Sequence, residues 1–167
     1  MYSSKFLRAF KYLMYHEGGY VDDKKDAGGE THYGISKRSY PHLDIKNLTM
    51  DQARQIYFVD FWMKAKCEQI DNDDIATKFF DLAVHTGIPQ AVKLIQRALR
   101  SAGTQVTEDG IIGPITLKAI NKADSTDLLA ALKSEAAGHY RLIANANPSQ
   151  RRFIDGWLRR AYSSITI

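Results

Sequence analysis

Nearly every long segment of this 167-residue chain repeats its apolar side chains every three or four positions. That period belongs to the α-helix, so the spacing predicts an all-α fold with room for β structure only where the period fails. The first stripe is Phe6, Phe10 and Leu13, and four residues further along the same face stands Glu17. A carboxylate at the end of an apolar stripe is out of place for a merely solvated charge. Gly18-Gly19 follows and is expected to end the helix through a left-handed cap. The helical period is then lost as far as Ser36. In that gap Asp26, Gly28, Gly29, Thr31 and Gly34 stand beside Thr, Tyr and Ile residues, which predicts one small β-hairpin near residues 26–35.

The rest of the chain reads as helices with their caps. Ser3 or Ser4 opens the first, over about 4–17. Ser36 to Tyr40 suits a short helix ended by Pro41. Thr49 and Gln52 form a capping box ahead of a helix to about Trp62 that buries Ala53, Ile56, Tyr57 and Phe61. Its aromatic run, Tyr57-Phe58 and Phe61-Trp62, has the spacing of core residues; the other reading is a platform on which sugars stack. Asp73 or Asp74 caps the next helix, which ends at Gly87, and on it Asp81 and His85 share a face. Pro89 starts a new stripe of Val92, Ile95 and Leu99. Asp109-Gly110 makes a turn, Gly113-Pro114 opens a helix, and Asp124 or Ser125 caps a long one that breaks at Asn147-Pro148. The last helix is expected to bury Phe153, Ile154, Trp157, Leu158 and Ala161, with Arg151, Arg152, Arg159 and Arg160 outward. Residues 1–88 and 89–167 therefore read as two helical units, joined near Gly87–Pro89 and tightly packed.

Composition narrows the partners. The formal net charge of +4 suits an anionic partner, but no dense Lys/Arg run marks a nucleic-acid binder. Cys67 is the single cysteine, which excludes an intrachain disulfide. The five histidines form no HExxH and no close ligand pair, so neither a metal site nor a cofactor is expected. No apolar run is long enough for stable membrane insertion, and a monomer is expected. Lys5, Arg8 and Lys11 interrupt the N-terminal apolar residues, unlike a signal peptide; the chain is expected to be made in the cytoplasm and to reach any cell-wall target after export or release.

The Glu17 region carries the chemistry. A carboxylic acid sheltered from water can hold a proton and deliver it to a leaving oxygen, and a glycosidase also needs a polar group across the scissile bond. A hairpin facing the helix end offers Asp26 and Thr31. The plain alternative is a last-turn residue followed by an ordinary glycine turn. Glu17-Gly18-Gly19-Tyr20-Val21 with Asp26-x-Gly28-Gly29-x-Thr31-x-x-Gly34-Ile35 resembles the signature of glycoside hydrolase family 108, lysozyme-like muramidases often from phages and prophages, some labelled secretion activators. The resemblance implies a lysozyme-like domain over 1–88 with Glu17 as catalytic acid, Asp26 and Thr31 as further catalytic residues, and substrate contacts from His32, Tyr33 and His85. A shift of one residue would put His32 in place of Thr31. His85 stands where the family's Asp-x-x-Val-Asn-x-Gly has Asn, and a core hydrogen bond to Asp81 is the other reading of it. Asp109-Gly110-x-x-Gly113-x-x-Thr116 is similar to the turn of three-helix peptidoglycan-binding modules, over roughly 89–160. Peptidoglycan is then the implied partner, and cleavage of its β-1,4 bond between N-acetylmuramic acid and N-acetylglucosamine the implied activity. A lytic transglycosylase and a non-catalytic wall-binding or secretion-related protein are the alternatives.

Overall fold

The computed structural model describes residues 1–22 and 29–166. Asp26 lies outside the described residues. Among the described residues there are seven α-helices and one small sheet: α1 (Ser4–His16), β1 (Val21–Asp22), β2 (Glu30–His32), β3 (Ile35–Ser36), α2 (Met50–Tyr57), α3 (Asp73–Thr86), α4 (Ile88–Ser101), α5 (Pro114–Lys122), α6 (Ser125–Ala146) and α7 (Ile154–Tyr162). The helical expectation holds. The predicted single hairpin is instead a three-stranded antiparallel sheet in the order β1-β2-β3, with Val21 opposite Thr31 and Thr31 opposite Ser36. The strands are only two or three residues long, too short for alternation to mark the first of them. Ser36 belongs to β3, and the expected helix at Ser36–Tyr40 is a single turn.

Several ends differ from the expected caps. Ser3 accepts from the Phe6 N–H at 3.1 Å and starts α1. The helix stops one residue early because Glu17 itself turns extended, at φ −88 and ψ 142. Neither Gly18 nor Gly19 takes a positive φ, so the left-handed cap is absent. Asn72, not Asp73 or Asp74, caps α3 by accepting from the Asp74 and Ile75 N–H groups, both at 3.0 Å. Gly87 closes α3 and opens α4 at once: its N–H donates to the Ala83 carbonyl and its own carbonyl accepts from Ala91. The Thr49–Gln52 capping box forms as expected, but the helix beyond Tyr57 changes to π winding over Phe58–Met63.

Helix α3 is the centre. From Ile75 to Ala83 every residue is buried, which is the pattern of a helix enclosed on all sides. It packs on α1, α4 and α6. One apolar core runs through both halves, from Phe6 and Leu13 through Phe79 and Phe80 to Leu94, Leu132 and Ala161. Within it Phe6, Trp62 and Phe80 meet edge to face at 5.4 to 6.0 Å, a geometry that adds to the gain from burial alone. In the C-terminal half the buried Gln96 amide binds both Asp109 and the Gly110 N–H, which locks the Asp109-Gly110 turn onto α4.

Candidate functional site

Where α1 ends and the sheet begins, the Glu17 carboxyl is nearly enclosed. Its side chain is 17% exposed, and Oε1 accepts from Arg160 Nη2 at 2.9 Å. The other oxygen faces the β2–β3 turn. That turn is Tyr33-Gly34, with φ of +51 and +78, the two positive angles of a type I′ hairpin. A Cβ on Gly34 would lie 2.7 Å from Glu17 Oε2 and 2.6 Å from the Tyr57 hydroxyl. Glycine is thus required twice, by the backbone angle and by the carboxylate lying against it. Tyr57 donates to the Tyr33 carbonyl at 2.9 Å, tying α2 to the same turn. Burial, and then the nearby Glu17, push the Tyr57 hydroxyl well above its ordinary pKa, so it stays a donor. A cleft of about 380 Å³ opens beside this point, and Gly34 and Tyr57 form part of its lining.

The sheet separates the other sequence-derived candidates. Neighbouring strand residues point to opposite faces. Thr31 shares its face with Ser36, and its Oγ1 donates to the Gly29 carbonyl at 3.3 Å. His32 lies on the other face, where Nδ1 meets the Ile45 carbonyl at 3.1 Å and the ring stacks on Tyr33 at 4.0 Å. Tyr33 contributes its carbonyl to Tyr57 and its ring to His32. His85 is further off, with Nδ1 2.7 Å from the Tyr140 hydroxyl and its ring near Trp157. Its hydrogen-bond partner is therefore Tyr140 and not Asp81. Burial, with Arg160 adding to it, pushes the His85 imidazole down to about 4.

Behind Glu17 lies a buried chain of charge. Arg160 donates from Nε and Nη2 to Asp81 Oδ1 at 3.0 and 2.8 Å while it holds Glu17. Lys78, fully buried, donates to the Arg160 carbonyl at 2.6 Å and stands 3.7 Å from Asp81 Oδ2. Burial alone would raise the Asp81 carboxyl; Arg160 and Lys78 outweigh it and hold it below its usual value. Burial pushes the Lys78 ammonium down to about 8. Among the described residues no group of three His, Cys, Asp or Glu side chains could hold a metal ion.

Residues 10–87 match the family model described as Glycosyl hydrolase 108, and residues 90–162 match the one described as Predicted Peptidoglycan domain. The chain is therefore similar to a glycosyl hydrolase 108 region followed by a peptidoglycan domain. A solved structure described as that of Brucella abortus SagA superposes with a TM-score of 0.67 at 25% identity, covering 95% of this chain and 97% of that one. No curated protein matches. The two family matches support a glycosidase that acts on peptidoglycan.

Glu17, Thr31, His32, Tyr33 and His85 all fall in the glycosyl hydrolase 108 region. Arg160 does not: it reaches Glu17 from the region that matches the peptidoglycan domain, across 143 residues of chain. It had been expected to face outward with the other arginines of α7, yet it is 9% exposed, and Phe153, expected in the core, is 41% exposed. Nothing in the local spacing sets Arg160 apart from Arg151, Arg152 and Arg159.

Proposed function

We propose that this protein is a muramidase that hydrolyses the β-1,4 bond between N-acetylmuramic acid and N-acetylglucosamine, with Glu17 as general acid. The observation that carries the reading is the enclosed Glu17 carboxyl, one oxygen held by Arg160 and the other against Gly34, which lines the cleft. A fixed carboxyl at a cleft edge is what protonation of a leaving glycosidic oxygen requires. In this reading Thr31 orders the attacking water, and Asp26 stabilises positive charge at the anomeric carbon or shares the ordering of water. Residues 1–88 form the catalytic unit and 89–167 the wall-directed one, with Arg160 the link between them. His32, Tyr33 and His85, whose rings pack on protein neighbours, support the site's shape and reach substrate through their edges.

Glu17→Gln keeps the shape of the side chain and removes the proton it would give. The variant should fold and still sediment with purified cell walls, while wall clearing falls about 10²–10⁴-fold. Clearing above a tenth of wild type would remove Glu17 from the acid role. Mass analysis of wild-type products tests the reaction class: reducing ends support hydrolysis, and anhydro-muramic ends would replace the proposal with a transglycosylase. Wall binding without any product would leave a non-catalytic wall binder.

A further inference from the structure

The cleft beside Glu17 has a second wall that the acid chemistry leaves unused. It is built by α2 and by the π-helical turn that follows, Phe58–Met63. π turns are rare, and inside helices they recur at functional sites. Here the widened turn keeps Trp62 in the core at 1% exposure while Asp60 and Phe61 line the cleft. Asp60 Oδ2 accepts from the Tyr40 hydroxyl at 2.8 Å, and Oδ1 accepts from Lys64 at 2.9 Å. The Lys64 ammonium, with Tyr40 adding to it, holds the Asp60 carboxyl below its ordinary value despite partial burial. A carboxylate of this kind is an acceptor with about four lone-pair sites, two of which are filled. Ser39 also lines the cleft; its hydroxyl accepts from Ser36 and is an uncharged donor in turn.

The ligand that fits must bring donors to Asp60, an acceptor to Ser39 and an apolar face to the rings of Phe61 and Tyr40. One N-acetylhexosamine ring supplies all three: hydroxyl and acetamido N–H donors, an acetamido carbonyl, and a face of C–H groups. A volume of about 380 Å³ is at the small end of ligand sites and suits one ring better than a long chain. The cleft shares Gly34 and Tyr57 with the Glu17 environment, so a ring seated here continues a glycan that passes the acid. We propose that Asp60 and Phe61 form a sugar subsite that seats one N-acetylhexosamine ring next to Glu17, with the Asp60 carboxylate accepting from its hydroxyl or acetamido N–H. The inference rests on the glycosidase reading for its substrate class.

The test uses the full chain carrying Glu17→Gln, so that binding is read without turnover. Calorimetry with a tetrameric N-acetylglucosamine oligosaccharide should show binding, and adding Asp60→Asn should weaken it about tenfold, the loss expected for a hydrogen bond to a charged group. Adding Phe61→Ala should weaken it similarly. Tyr40→Phe is the decisive control: it removes the hydroxyl that braces Asp60 but leaves the carboxylate and the ring, so affinity should stay within about twofold. If the parent fails to bind the oligosaccharide, or Asp60→Asn binds as the parent does, the subsite is overturned. It is equally overturned if Asp60→Asn and Tyr40→Phe lower affinity and melting temperature in parallel, because Asp60 would then be a brace. Retained wall clearing by Glu17→Gln would sink the acid role alone, since the binding comparison never uses turnover.

Discussion

Gly34 is the residue at which backbone and chemistry meet. Its φ of +78 disfavours any L side chain, and an added methyl would run into both Glu17 and Tyr57. Gly34→Ala should cost at least about 1 kcal/mol from the left-handed backbone alone, and so lower Tm by roughly 2–4 °C. Wall clearing should fall much further than stability does, because the displaced group is the carboxyl. Activity that merely tracks Tm would show that the turn is scaffolding. Glu17 was legible in the sequence, since an apolar stripe that ends on a carboxylate is conspicuous. Arg160 was not, because it is one of four arginines within ten residues and nothing local separates a buried guanidinium from a solvated one. What singles it out is Asp81, 79 residues away, and a partner at that distance leaves no trace in local periodicity.

At the scale of elements, caps decided most helix ends, and the errors came where several capping residues stand together. Asn72-Asp73-Asp74 offers three candidates, and only geometry picks the first. Asn72→Ala should therefore cost about 1 kcal/mol. Asp73 is itself exposed and makes only long ion pairs at 3.8 and 3.9 Å, so Asp73→Asn should change stability by a few tenths. Equal losses in denaturant unfolding would reassign the cap. The π turn had no signature of its own, since Tyr57, Phe61 and Lys64 satisfy an ordinary α-helical spacing equally well. The extra strand β1 escaped notice for a different reason: two residues cannot display a period.

Over the whole molecule, the buried charges bind α1, α3 and α7 together and set how stability responds to acid. In the folded protein His85 takes up a proton only near pH 4, whereas in the unfolded chain it does so near 6.5. The unfolded state thus binds more protons between those values, so the contribution of His85 is intact above pH 6.5 and is lost as pH falls toward 4. The loss is up to about 3 kcal/mol. Asp81, whose folded pKa lies below 3.8, adds a further loss only at lower pH. Melting curves at pH 7, 5.5 and 4 should show the first decline, and His85→Asn should flatten it. An unchanged slope in that variant would place the acid sensitivity elsewhere.

The ion pair between Glu17 and Arg160 also has a consequence in time. During synthesis the carboxyl emerges with the first helix, but its guanidinium partner is not made until 143 residues later. Contacts so distant along a chain form late in folding. Until translation has passed Arg160, the nascent chain has its acid without the group that holds it, so a ribosome that stalls inside α7 leaves a polypeptide with most of its core residues and an unassembled site.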